Sequence, residues 1–291
     1  MKLQKLGEFG LIDRIAKKTK KGKGVVLGIG DDCAVLEHTK DKYLLVTCDM
    51  LVEGVHFLLN KATPSQIGHK ALGCGLSDIA AMGGVARYAV VSVGLPKKLS
   101  VEFVDNLYKG IKTLADKFKV SIVGGDTNKS DKLVLDITVI GEVKKDKLVK
   151  RSGAKIGDFI FVTGALGGSI RGKHLSFTPR LKEANYLVNN FKLNSMIDVS
   201  DGISSDLNHI LKQSKVGARL FLDKIPLSKY AKSVNNALND GEDFELLFTL
   251  PKQEAKRLLR SKPKGLVKFT HIGEIVKKGK GAIPAKGFRH F

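Results

Sequence analysis

Acidic residues at the edges of apolar runs are the part of this sequence whose types and spacing could do chemistry. In Val25-Val26-Leu27-Gly28-Ile29-Gly30-Asp31-Asp32 an apolar run stops at two glycines, and two carboxylates follow. Glycine lets the backbone turn sharply and lets a ligand come close. Adjacent carboxylates repel, so packing alone gives little reason for them; a hard cation such as Mg2+, which takes oxygen ligands, gives one. The pattern recurs. The runs before Asp49 and Asp126 each end at a carboxylate, which sets both at expected strand ends, and Asp198 and Asp201 flank Val199-Ser200. Asp78 lies in the small, apolar setting Leu76-Ser77-Asp78-Ile79-Ala80-Ala81-Met82. One such Asp alone is a turn or a helix cap. Together, each beside an apolar run, they point to one shared metal and polyanion site. Carboxylates cannot bind phosphates directly, but they hold cations that do, as in metal-dependent phosphoryl transfer or ATP-driven ligation.

The elements that must position these acids follow from periodicity. Helical spacing predicts helices over 7–18, 64–82, opened by Thr63 or Pro64, and 100–118, with Ser100 as N-cap and Phe103, Leu107, Ile111, Leu114 and Phe118 on one face. Strands are expected at 44–47, 88–95, 120–123 and 132–143. Gly68, Gly73 and Gly75 weaken the second helix but permit another backbone to approach. The polar, basic stretch 144–158 marks a boundary between domains 1–148 and 149–291. Beyond it, 159–163, 218–223 and 244–250 read as strands and 204–213 and 252–259 as helices. The class is α/β (α+β), in two domains.

Other motifs are weaker. Gly167-Gly168-Ser169-Ile170-Arg171-Gly172-Lys173-His174 nearly fits a P-loop but lacks the final hydroxyl, and no G-x-G-x-x-G or H-E-x-x-H is present. Asp240-Gly241-Glu242-Asp243 before an apolar run reads equally as a site or a hairpin turn. Arg151 in the boundary stretch could clamp a phosphate or be solvated. His56 has an unusual setting in Glu53-Gly54-Val55-His56-Phe57, although a lone His is more often packed. The net charge of +21 fits nucleic acid, an anionic membrane or anionic small substrates. With no Trp and little aromatic interleaving, most of it reads as solvated surface. Three cysteines without a CxxC pair, and a start without an apolar segment, suggest a reduced, cytoplasmic protein with no signal peptide.

In order along the chain, Gly28-Ile29-Gly30-Asp31-Asp32-Cys33-Ala34, Gly54-Val55-His56-Phe57, Leu76-Ser77-Asp78-Ile79-Ala80-Ala81-Met82-Gly83, Gly124-Gly125-Asp126-Thr127, Arg151-Ser152-Gly153-Ala154, Asp198-Val199-Ser200-Asp201-Gly202 and Gly241-Glu242-Asp243-Phe244-Glu245 resemble the thiamine-monophosphate kinases, of the aminoimidazole-ribonucleotide-synthetase superfamily. The resemblance runs from Gly7-Glu8-Phe9 to Gly287-Phe288-Arg289-His290-Phe291. It implies transfer of the ATP γ-phosphoryl group to thiamine monophosphate, with ATP as co-substrate, several Mg2+ ions and no general base. It implies a homodimer whose N-terminal domains pair their mixed sheets into a barrel, an N-terminal domain (1–148) for ATP and metal, and a C-terminal α/β domain (149–291). By the same resemblance Asp32, Thr47, Asp49, Asp78, Asp126, Asp198 and Asp201 would bind metal. Tyr108, Gly125, Asp126, Arg151 and Ser200 would contact ATP, and His56, Glu242 and Phe288 the thiamine substrate. No nucleic acid or membrane partner is implied.

Two departures from the family pattern stand out. Cys48 replaces a usual Thr, which leaves only a backbone carbonyl as an oxygen ligand there. The segment 164–195 is shorter than usual, with Gly168 in place of an Asp, so part of a helical layer over the C-terminal domain is expected to be missing. Among rival readings, a sister synthetase of the superfamily is disfavoured by the His56 motif and the C-terminal aromatics. A nucleic-acid-binding protein rests only on the charge.

Overall fold

A computed structural model describes residues 3–279. Two short N-terminal helices, α1 (Leu3–Leu6) and α2 (Glu8–Lys18), precede strands β1 (Val25–Leu27), β2 (Ala34–Glu37) and β3 (Lys42–Val52). Helix α3 (Pro64–Ala81), β4 (Val85–Leu95), α4 (Val101–Phe118), β5 (Ser121–Lys129) and β6 (Val134–Lys144) complete the first half. Its six strands form one sheet in the order β1-β2-β3-β6-β4-β5. Every pairing is antiparallel except β4 with β5.

The expectation that Asp49 and Asp126 end their strands is corrected. The β3–β6 ladder runs unbroken from Lys42↔Lys144 to Val52↔Val134, carrying Thr47, Cys48 and Asp49 in its middle. β5 likewise continues through Asp126 to Lys129. Polar residues are tolerated there because each ladder satisfies the backbone, and only one sheet face is packed. That face is formed by Leu45, Leu51, Leu135, Ile137, Val139, Ala89 and Val91, all buried.

Helix α3 covers this face. Thr63 and Gln66 form a reciprocal capping box, and Pro64 takes the first turn, where its missing N–H is harmless. α4 starts at Ser100, whose hydroxyl accepts from the Phe103 N–H at 3.1 Å. The two helices cross at glycines. A Cβ on Gly68 would overlap the Leu107 carbonyl, and one on Gly110 would overlap the Ser65 carbonyl, so the crossing is as close as two backbones allow.

The second half holds β7 (Phe159–Thr163), α5 (Leu181–Asn190), β8 (Ser195–Asp198), α6 (Ile203–Ser214), β9 (Gly217–Leu220), α7 (Val234–Asn239), β10 (Leu246–Leu250), α8 (Lys252–Arg260) and β11 (Phe269–Val276). Its five-stranded antiparallel sheet has the order β8-β10-β7-β11-β9. β10 is buried along its whole length, as expected of a central strand. The segment 164–195 holds two 3-10 turns and α5, with Gly167 and Gly168 N–H groups donating to Asp243 and Asp240. This is neither the strand–loop–helix of a P-loop nor a loop with amides turned to a ligand. α3 touches both halves, since it also packs against α5 and β8.

Candidate active site

Asp78 sits near the C-terminal end of α3, facing β3. The period of two along β3 puts Thr47 and Asp49 on the same face as buried Leu45 and Leu51, so both turn toward α3. The Thr47 hydroxyl donates to the Asp78 carboxylate, and Asp49 lies beside Asp78. From the second half, Asp198 ends β8 and accepts from the Ser77 hydroxyl at 2.8 Å. Asp32 follows the Gly28–Gly30 turn. Oxygens of Asp32, Asp78 and Asp198 all lie within 4.8 Å of one another. A cleft of about 290 Å³ opens beside them, lined among others by Asp49, His56, Asp78, Asp198, Ser200, Asp201 and Glu242.

Crowding buried carboxylates disfavours their charged forms. Burial, then the Asp32 charge, raises Asp198 to about 8. Burial raises Asp49 to about 6. Asp78 is pushed well above the usual range by burial and then by Asp49 and Asp198. Arg151 is the cation set against this: its guanidinium pairs with Asp32 at 2.5 Å and lies 3.9 Å from Asp31. Of the two sequence readings of Arg151, the solvated one is excluded.

Other expected residues lie elsewhere. Asp126 is on exposed β5, accepts from Asn128 at 2.8 Å and is outside the three-carboxylate group. Its row is on the other sheet face: Ser92 pairs with both Asp126 and Asp136. The Cys48 thiol also turns that way, donating to Asp136 Oδ1 at 2.8 Å. Strand parity therefore keeps the Cys48 side chain out of the cluster. Gly125 packs against β4, where a Cβ would overlap the Val91 carbonyl. Tyr108 is half-buried on α4 against the hydrophobic core of the first half. Phe288 lies outside the described residues.

His56 lies between two cavities, this cleft and an adjoining one of about 540 Å³ walled by Val55, Phe57, Leu58, Ile170 and Leu175. Its Nδ1 accepts from the Val52 N–H at 3.0 Å, so in the neutral ring Nε2 carries the proton. Glu242 lies where the sequence left a hairpin open. It is instead a loop between α7 and β10, with Glu242 and Phe244 both at positive φ, 59° and 49°. Several site residues escaped the sequence reading: Ser77, which holds Asp198; Asp206, a buried carboxylate accepting from the Asp201 N–H; and Lys70 with His174. Lys70 was legible in principle. It stands eight residues before Asp78 on the same face of α3, at helical spacing with Ile67, Ala71 and Cys74.

Residues 30–143 match the family model of the AIR synthase related protein, N-terminal domain, and 159–286 that of the C-terminal domain. The chain thus carries both domains of an AIR synthase related protein. The thiamine-monophosphate kinase of Aquifex aeolicus (strain VF5) is 36% identical, covering 100% of both chains. That of Buchnera aphidicola subsp. Schizaphis graminum (strain Sg) is 36% identical over 98% of each. The solved structure of AaThiL complexed with AMPPCP and TMP superposes with a TM-score of 0.87 at 35% identity, covering 100% of this chain and 99% of that one. The chain belongs to the thiamine-monophosphate kinase family.

Proposed function

We propose that the protein transfers the γ-phosphoryl group of ATP to thiamine monophosphate, giving thiamine diphosphate and ADP. What carries this reading is a buried all-oxygen carboxylate cluster in a chain that aligns end to end with the AMPPCP and TMP complex. ADP release that requires thiamine monophosphate is the expected assay result; ADP release indifferent to it would count against the acceptor.

The cluster fits Mg2+. Asp32 Oδ2 and Asp49 Oδ2 are buried and accept no hydrogen bond, and the donor set is all oxygen. Asp32, Thr47, Asp49, Asp78, Asp198 and Asp201 would hold the metal. Asp126, in the outer row, would serve a separate ion, so several ions are needed. Bound Mg2+ would offset the charge on the transferring group. Metal should also relieve the repulsion among the carboxylates. Mg2+ at about 100 times its Kd should then stabilise the protein by about 2.7 kcal/mol, a rise in Tm of roughly 5 °C. An unchanged Tm would remove the metal assignment.

The chain's own residues position and bind. Arg151 and Ser200, beside the carboxylate cluster, are assigned to ATP, as are Gly125 and Tyr108, which lie away from it, on the family resemblance alone; His56, Glu242 and Phe288 are assigned to the acceptor. No protein base is required. A phosphate monoester has a second pKa of about 6, so the acceptor is already largely dianionic at neutral pH. Catalysis is then orientation and electrostatics.

The active form is proposed to be a homodimer. β5 is a sheet edge exposed along all nine residues, and the uncovered sheet face carries Met50 and Tyr88, with Val123 exposed on β5. Such an edge invites pairing with another chain, and a second copy would close the two sheets into a barrel. Sedimentation velocity should show a dimer at micromolar concentration; a monomer there would overturn this. We divide the chain into domains at 148/149, since each half has its own sheet, with limited proteolysis expected to cut first in 149–158. We place the protein in the cytoplasm. Cys33, Cys48 and Cys74 are free thiols, and no helix among the described residues is long and apolar enough to cross a membrane. Fractionation would test that location.

A further inference from the structure

Lys70 is fully buried on α3, with a relative exposure of 0%. An ammonium has three N–H donors and no acceptor. Nζ donates to the His56 carbonyl at 2.8 Å and to His174 Nδ1 at 3.0 Å, and Glu242 Oε2 lies 2.5 Å away as its ion-pair partner, close in charge but outside hydrogen-bond geometry. Because the ammonium can only donate, His174 presents Nδ1 as an acceptor and keeps its proton on Nε2.

The three partners come from three parts of the chain. His56 is in the loop after β3, His174 in the 3-10 turn Lys173–Leu175, and Glu242 in the loop before β10. Glu242 also has left-handed backbone, φ 59°, and its N–H donates to the Ser200 carbonyl at 2.6 Å. An unusual conformation of this kind persists only when its surroundings over-determine it. Lys70 is one of the contacts that do so. Burial pushes the Glu242 carboxyl up, but its polar and cationic neighbours, the Lys70 ammonium among them, outweigh it and hold the group below its ordinary value. Lys70, Cys74 and Asp78 follow at intervals of four on one face of α3. Eight residues at 1.5 Å each place Lys70 about 12 Å along the helix from Asp78. α3 therefore carries the metal-side carboxylate at one point and the clamp on the acceptor-side residues two turns away.

We propose that Lys70 is a positioning residue for the phosphoryl acceptor, locking His56, His174 and Glu242 into one arrangement. This rests on the kinase reading given above. The test compares wild type, Lys70→Met, Glu242→Gln and the double variant in steady-state kinetics with ATP and thiamine monophosphate. Lys70→Met should raise the KM for thiamine monophosphate tenfold or more while the KM for ATP changes less than twofold. The double variant should be no worse than Lys70→Met alone, because both residues act as one unit. A merely structural lysine would lower the yield of folded enzyme and leave both KM values alone; that result, or equal changes in both, overturns the proposal. Should Lys70→Met not fold, Lys70→Gln, which keeps donors for the His56 carbonyl and His174, gives the same readout. Wild-type protein without thiamine-monophosphate-dependent turnover would instead overturn the kinase reading, and the proposal with it.

Discussion

Asp78→Asn is expected to lower turnover by at least about a thousandfold, the scale of losing one dominant electrostatic group in a preorganised site. The change keeps shape and removes one charge. An Asn oxygen can still accept from Thr47, so the contact between β3 and α3 survives. Stability should move the other way. Burial, with Asp49 and Asp198 close by, holds the Asp78 carboxyl well above its ordinary range, so the folded, metal-free protein gains nothing from ionising it. The neutral amide should leave the metal-free Tm unchanged or higher, while the rise produced by Mg2+ shrinks. Near-normal turnover would remove Asp78 from the metal set. A large fall in the metal-free Tm would make it a structural residue.

Arg151→Met is expected to show the largest loss of stability. The guanidinium pairs with Asp32 at 2.5 Å, and its backbone N–H donates to Asp31 at 3.2 Å. Removing one partner of a buried pair leaves the other charge uncompensated, which costs about 3–5 kcal/mol. In thermal denaturation without metal this is a fall of roughly 10 °C. The interaction joins the Gly-rich turn of the first half to the start of the second, so Arg151 holds the two halves in register as well as meeting the carboxylate cluster. An unchanged Tm would mean that Asp32 is accommodated without it.

The sequence marked the acidic residues by type and setting, and two helices by their caps. Thr63 or Pro64 and Ser100 announce α3 and α4 because capping is local chemistry that needs no tertiary information. Which acids share a face was not legible in the same way. Asp49 and Cys48 are neighbours in sequence but lie on opposite faces of β3, and that assignment depends on which face α3 covers. Asp126 resembles Asp49 in its setting yet lies on an open edge, because strand order is a long-range property. The extension of β3 and β5 past their carboxylates follows from ladder partners far away in the chain. Lys70 reads as an ordinary helix lysine until Glu242 and His174, more than a hundred residues later, are brought to it. The left-handed backbone at Glu242 and Phe244 leaves no signature in residues of those types.

In the proposed reaction the γ-phosphoryl group of ATP moves to thiamine monophosphate at this cleft. Incubation of the purified protein with Mg2+, thiamine monophosphate and ATP labelled with 32P at the γ-position tests it most directly. Label should appear in thiamine diphosphate in step with ADP formation, and should fail to do so with Asp78→Asn. Label released only as inorganic phosphate, or retained in ATP, would contradict the account.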